Sequence, residues 1–305
     1  MKAGPDVSAL DDTRSTRPPA RQDRSPGGFR AWTARHPVGA FLAIALPLGW
    51  VVLGVPALAH HGVIPGGDVP GELFALAATV LVLLPAAAWV VSVAEGRAGV
   101  RALFSRTFRW RFGVGWWLAA LAALPVATVV VGLVQGRSLV ADPVSVLVEG
   151  VPLMLLPVLL VNLWEETVWA GFVQTRLEGR HGLLAGSALT AVAFAAIHLP
   201  LLLWGDITVE SVATGLGIVF GAALVFRLLV GVFLRAAAGS VLAVAVLHGA
   251  WNGSSGEDGL VDELLSGGQP VLAAVVGLVV VTAVALAIVR PELVRPSRDA
   301  RPSRP

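Results

Sequence analysis

Residues 270–289 read PVLAAVVGLVVVTAVALAIV, a run of 20 residues without a charged side chain. A helix needs about 20 apolar residues to cross roughly 30 Å of bilayer hydrocarbon, so this run predicts a transmembrane helix. Similar stretches follow one another from His36 onward, which predicts an all-α polytopic membrane protein with about eight transmembrane helices. The predicted spans are residues 37–59, 72–94, 114–134, 150–175, 183–204, 211–231, 236–252 and 270–289.

Composition supports this fold class. Of the 305 residues, 56% are hydrophobic and 14% are charged, and the mean hydropathy is +0.78. A soluble domain is about a quarter charged. The chain has no cysteine, which excludes a disulfide scaffold, an iron–sulfur centre, a thiolate zinc site and a cysteine nucleophile. The basic residues are clustered along the chain in a way that sets membrane orientation, so no nucleic-acid partner is expected.

The two ends of the chain differ from the apolar body. Residues 1–35 are rich in Arg, Asp and Pro and have few large apolar side chains, which predicts a disordered cytoplasmic tail. They contain no apolar core of the kind that a signal peptide needs, so the first hydrophobic stretch is predicted to be a retained anchor. Residues 36–290 are predicted to form the transmembrane domain, and residues 291–305 a second, basic disordered tail.

Basic residues favour the cytoplasmic side of a membrane and therefore test the number of spans. With eight spans, only Arg137 falls on the outer side, where the loops instead carry Asp and Glu. This parity predicts a multi-pass protein of the cell membrane with both termini in the cytoplasm. The basic residues that it places on the cytoplasmic side include Arg97, Arg101, Arg106, Arg109, Arg111, Arg176, Arg180, Arg227 and Arg235.

The fourth span leaves two alternatives open. Apolar sequence runs from Val144 to Trp164 and then continues, interrupted by two carboxylates, to Arg176. Either one long helix or a short helix followed by a span fits this pattern.

Four ionisable residues stand out inside the predicted spans: Glu165, Glu166, His198 and His248. Each costs about 2.5–3.5 kcal/mol at bilayer depth, so each needs a partner or a function. Asn252 joins them, one helical turn after His248 on the same helix face. At about 1.5 Å of rise per residue, Glu165, His248 and His198 lie roughly 16, 20 and 27 Å from the cytoplasmic ends of their helices, so we expect them to meet inside the membrane.

Three short strings contain these residues: EETVWAGF at residues 165–172, FAAIH at 194–198 and HGAWN at 248–252. They resemble the three motifs of the CAAX-protease and bacteriocin-processing (CPBP, or Abi) family of intramembrane proteases. Those motifs are a double Glu, a Phe-x-x-x-His and a His-x-x-x-Asn/Asp. The resemblance covers about residues 145–255 and implies an intramembrane peptidase whose substrate is a peptide or a membrane protein, with membrane lipid around it.

The resemblance also implies a role for each residue. Glu165 would activate a water molecule, His198 and His248 would position or polarise it, and Asn252 would support the developing oxyanion. Glu166 would be a supporting partner, since neighbouring helical residues point about 100° apart. Peptide hydrolysis without a nucleophilic side chain needs such a base and such an oxyanion stabiliser.

The sequence leaves open whether the site holds a metal. Glu165, His198 and His248 are candidate ligands for a divalent ion such as zinc, with a fourth position for water. The chain has no His-Glu-x-x-His helix, which disfavours a zinc site and favours a glutamate-driven reaction without a cofactor.

The chain departs from the family pattern at Ala170, where the first motif usually has Arg. Loss of that cation removes a partner for the Glu pair. The departure is consistent with an altered substrate, with a compensating residue elsewhere such as Arg176, or with an inactive member that acts as a membrane scaffold or peptide-binding protein. A transporter is a third alternative, although the two halves of the chain show no convincing internal similarity.

Overall fold

A computed structural model describes Met1, residues 28–267 and residues 270–289. Most of both predicted tails lies outside the described residues. The described chain consists of helices and one pair of two-residue antiparallel strands, β1 (Ser138–Leu139) and β2 (Leu265–Ser266). The α-helices are α1 Phe29–Arg35, α2 Pro37–Leu53, α3 Val55–His60, α4 Gly71–Ala77, α5 Leu84–Thr107, α6 Val114–Val134, α7 Pro143–Pro157, α8 Leu163–Val168, α9 Thr175–Ile197, α10 Val209–Ala236, α11 Val241–Ser255, α12 Leu260–Leu264 and α13 Pro270–Ile288.

The helices support an all-α polytopic membrane protein, but they do not confirm a count of eight. Six helical stretches of the described residues are long and apolar enough to cross a membrane. One of them, Pro143–Leu203, is 61 residues long and contains the predicted fourth span and all but the last residue of the predicted fifth. Helix α11, which carries the predicted seventh span, has only 15 residues and is not among the six.

The fourth span is part of one long helical run, the first of the two alternatives. The chain is helical without interruption from Pro143 until Gly182, whose φ of 79° and ψ of 175° are not helical. A positive φ is readily adopted only by glycine, so Gly182 is where the chain changes direction. Gly96 breaks α5 in the same way, with a φ of 68°.

Residues 29–35 differ from the prediction, which placed them in a disordered tail. They form α1, whose buried Thr33 donates a hydrogen bond to the carbonyl oxygen of Phe29. The Phe29 ring stacks on Trp89 of α5 at a centroid distance of 5.8 Å. The average composition of residues 1–35 gave no indication of this short helix at the C-terminal end of the segment.

The segment that carries EETVWAGF lies between the two halves of the apolar core. One half is built mainly from α6, α10, α11 and α13, and it includes Leu163 and Ala170. The other half involves α2 and α5, and it includes Val168, Trp169 and Phe172. Residues of this short segment therefore contact both halves, which holds its polar side chains inside the protein.

Loop contacts join segments that the parity argument places on the same side. At one end, His61 Nε2 lies 3.1 Å from the carbonyl oxygen of Leu203, and β1 pairs with β2. At the other end, the Ser240 hydroxyl donates to the carbonyl oxygen of Arg109 at 2.5 Å.

Arg137, the single basic residue predicted on the outer side, is buried in a structural contact. It is 8% exposed, and its Nη2 lies 3.2 Å from Asp262 Oδ1 and 2.7 Å from the carbonyl oxygen of Leu265. It joins β1 and β2 through these contacts, which explains an arginine on a side otherwise rich in carboxylates.

Candidate functional site

The double glutamate lies on α8, between two π-helical segments, Val158–Asn162 and Trp169–Gln174. π-helical turns are rare and are frequent at functional sites, because the wider turn changes the face on which the next side chains emerge. Both carboxylates are inside the protein: Glu165 is 9% exposed and Glu166 is 0% exposed. They nevertheless meet different neighbours.

Glu166 is fully engaged by two side chains. Arg227 of α10 binds it in a bidentate way, with Nη1 to Oε2 at 2.7 Å and Nη2 to Oε1 at 2.8 Å. His248 Nδ1 lies 2.8 Å from the same Oε1. Both side chains of the Glu166–Arg227 pair are 0% exposed. The bidentate geometry offsets part of the cost of taking two charges out of water, although Arg227 Nε is buried without a hydrogen-bond partner among the described residues.

Arg227 is the residue that sequence reasoning missed. It was assigned to the cytoplasmic end of a helix, but it lies nine residues before the end of α10, or about 14 Å along the axis. Its guanidinium carbon is 3.8 Å from the ring centroid of Phe194, so a cation–π contact adds to the ion pair. The available signal was an arginine inside predicted span six, which the rule for intramembrane charges marks as functional.

Arg227 also changes the interpretation of Ala170. Ala170 is 0% exposed and packs in the apolar core. Arg176, the compensating residue suggested by the sequence, instead pairs with Glu95. The cation that accompanies Glu166 therefore comes from α10, and the suggestion of Arg176 was wrong.

Glu165 has no hydrogen-bond partner within the part of the chain that the structure describes. Its Oε1 lies 3.7 Å from His198 Nε2, and its Oε2 lies 3.9 Å from His248 Nδ1. Both distances exceed a direct hydrogen bond, so each oxygen of Glu165 can still accept one from another group such as water. Glu165 is thus the carboxylate of the pair whose oxygens are free to bind water.

His198 follows the last residue of α9. Its Nδ1 lies 2.6 Å from the carbonyl oxygen of Phe194, so Nδ1 carries the proton and donates it. The Phe-x-x-x-His spacing produces this contact, because a helical residue lies one turn from the residue four positions earlier. In the neutral imidazole Nε2 is then an acceptor, and it is the nitrogen that faces Glu165.

His248 and Asn252 are on α11, one turn apart. Gly249 lets this helix approach the segment Val158–Asn162, since a Cβ atom at this position would lie 2.4 Å from Val158 Cγ2. His248, Asn252 and His198 together line a cavity of about 310 Å³, which we call the large cavity. The rest of its wall is largely apolar. Glu165 and His198 also line a second space of about 70 Å³, which we call the small cavity.

The three candidate metal ligands do not fit a zinc site. Within residues 28–267 and 270–289, no group of three or more His, Asp or Glu side chains is arranged to hold a metal ion. His248 Nδ1 lies 3.9 Å from Glu165 Oε2 and 2.8 Å from Glu166 Oε1. This nitrogen is therefore already engaged in a hydrogen bond with Glu166. A metal between Glu165 and His248 would have to displace that bond.

Residues 146–254 match a protein-family model described as Rce1-like, type II CAAX prenyl endopeptidase Rce1-like. The match covers every predicted site residue and Arg227, and it leaves out the first three predicted spans. It supports the CPBP/CAAX protease family that the motifs indicated. Comparison with curated proteins gives no significant match.

Proposed function

We propose that this chain, whose residues 146–254 match the CAAX prenyl endopeptidase family model, is an intramembrane peptidase that hydrolyses peptide bonds with a water molecule activated by Glu165. The observation that supports it is the contrast between two neighbouring carboxylates. Glu166 is paired with Arg227 and His248, whereas Glu165 lies 3.7 and 3.9 Å from two imidazoles and has no hydrogen bond to any described residue. A general base must be free to bind the water from which it removes a proton.

In the proposed reaction, Glu165 accepts a proton from water while the water oxygen bonds to the peptide carbonyl carbon. The carbonyl oxygen becomes an oxyanion, to which the Asn252 side-chain amide donates a hydrogen bond. The proton then passes from Glu165 to the peptide nitrogen as the C–N bond breaks. The products are a new carboxyl end and a new amino end.

Glu166 has a positioning role in this proposal. Its Oε1 accepts from His248 Nδ1, which fixes the ring that lines the large cavity. Arg227 neutralises Glu166, so the neighbouring Glu165 does not face a second unpaired carboxylate. A lone buried charge beside the base would be costly.

The alternative of a silent membrane scaffold rested on Ala170. With Arg227 bound to Glu166, the site has the cation that Ala170 does not supply. The absence of Arg at position 170 therefore no longer favours an inactive protein. The peptide substrate is proposed to bind in the large cavity, because the apolar wall of this cavity suits a membrane-embedded segment.

The test is cleavage of quenched fluorescent transmembrane peptides by the purified protein in liposomes. We expect the wild type to release two fragments with a new carboxyl and a new amino end. His198→Ala should slow release about tenfold or more, because Nε2 no longer holds the water near Glu165. His181→Ala is the matched control: this histidine is exposed, and its variant should cleave at the wild-type rate. Absence of cleavage across a broad peptide set would contradict the proposal.

We further propose that eight helices cross the cell membrane and that both termini are cytoplasmic. The loop contacts support this parity, because His61 meets Leu203 at one end of the molecule and Arg109 meets Ser240 at the other. Reporter fusions after Arg111 and after Glu263 should therefore report opposite compartments. The same compartment for both fusions would rule out the proposed parity.

A further inference from the structure

Thr79 lies in a π-helical segment, Ala78–Leu83, between α4 and α5. This segment is outside residues 146–254, and no motif pointed to it. Thr79 is 4% exposed, so its hydroxyl group is inside the protein. It is one of the residues that line the small cavity together with Glu165 and His198.

The Thr79 hydroxyl makes no hydrogen bond within the part of the chain that the structure describes. Most other buried threonines satisfy their hydroxyl by donating to the carbonyl oxygen four residues earlier, the usual solution in an apolar helix. A buried hydroxyl without a protein partner requires a water molecule or carries a penalty of about 1–3 kcal/mol. The threonines that donate in this way are Thr33, Thr107, Thr167, Thr190 and Thr282.

The small cavity has the size and the polar groups that a bound water needs. Its volume of about 70 Å³ accommodates up to two water molecules, since each occupies about 30 Å³ in the liquid. An ordered buried water needs two to four polar partners. The small cavity has three polar side chains, Thr79, Glu165 and His198, and the remaining lining residues are apolar.

We propose that Thr79 is a positioning residue that holds the attacking water through its hydroxyl group; this inference rests on the proposed function. The hydrogen-bond directions are complementary. The water donates one hydrogen to Glu165 and the other to His198 Nε2, which is the acceptor of the neutral imidazole whose Nδ1 donates to the carbonyl oxygen of Phe194. The Thr79 hydroxyl donates to one lone pair of the water oxygen. The second lone pair is then left to attack the peptide carbonyl.

The test compares Thr79→Val, which removes the hydroxyl at nearly constant shape, with Thr79→Ser, which keeps it. On the quenched peptide that the wild type cleaves fastest, Thr79→Val should lower kcat about tenfold with KM unchanged. Thr79→Ser should stay within a few-fold of the wild type. The matched control is Thr128→Val, since the Thr128 hydroxyl is also buried without a partner but lies against Gly277, away from the small cavity.

Two outcomes would overturn the inference. One is an undiminished kcat for Thr79→Val; the other is a loss that Thr79→Ser or Thr128→Val reproduces, which would indicate packing alone.

A high-resolution experimental structure gives a second readout that does not depend on activity. We expect a water within hydrogen-bond distance of Thr79 Oγ1 and Glu165 in the wild type and none at that place in Thr79→Val. A wild type that holds this water but cleaves nothing would contradict the proposed function and leave the water site standing.

Discussion

Glu165→Gln is expected to lower the rate of peptide cleavage at least about 100-fold, the usual scale for loss of a general base, while the protein remains folded. The neutral amide cannot accept a proton from water at neutral pH. It is also cheaper to bury than an unpaired carboxylate, and among the described residues Glu165 has no direct hydrogen bond that the change would break. The measurement is kcat on the quenched peptide in liposomes, together with the thermal unfolding midpoint.

Two matched variants distinguish the base from carboxylates in general. Glu149→Gln changes an exposed carboxylate earlier in the same helical run and should keep the wild-type rate. Glu166→Gln should instead lower stability, because it leaves Arg227 as a buried cation without its anion. If Glu165→Gln retained more than a tenth of the activity, Glu165 would not be the base.

Most residues of the candidate site could be predicted from the sequence, because an ionisable side chain is unusual inside an apolar transmembrane span. Glu165, Glu166, His198 and His248 each stood out in an apolar span, and the structure brings them together. Arg227 also lies in a predicted span. Its charge had a simpler explanation, however, because a residue near the cytoplasmic end of that span is often basic. Its role depends on how α10 is rotated against α8, which no pattern along one helix specifies.

The position of Thr79 beside the candidate site could not be predicted from the sequence, for a different reason. A threonine in an apolar helix usually bonds to its own backbone, so its identity carries no signal. Only the placement of the segment Ala78–Leu83 against Glu165 shows that the hydroxyl borders the small cavity. The number of spans differs for another reason: charged residues at 175–182 separate the predicted fourth and fifth spans in the sequence, whereas the helix continues through them to Gly182.

Arg227→Met is expected to lower the free energy of unfolding by about 3–5 kcal/mol, the usual cost of removing one partner from a buried ion pair. Of its two described partners Glu166 would keep His248, and it would remain a fully buried carboxylate without its cation. Unfolding titrations in mixed detergent measure this change. The control is Arg101→Met, an exposed arginine whose loss should change stability by no more than about 0.5 kcal/mol. An effect of that small size for Arg227→Met would mean that the pair does not stabilise the fold.

Moving the cation back to position 170 tests whether Arg227 takes the place of the family arginine. Position 170 is one turn after Glu166, so an arginine there can reach that carboxylate. In the wild type, Ala170→Arg should destabilise, because Ala170 is fully buried and Glu166 already has its cation. In the Arg227→Met background, the same change should recover part of the lost stability, since it restores a partner to Glu166. The sign of the Ala170→Arg effect should therefore reverse between the two backgrounds. Equal destabilisation in both would show that the two positions do not substitute for each other.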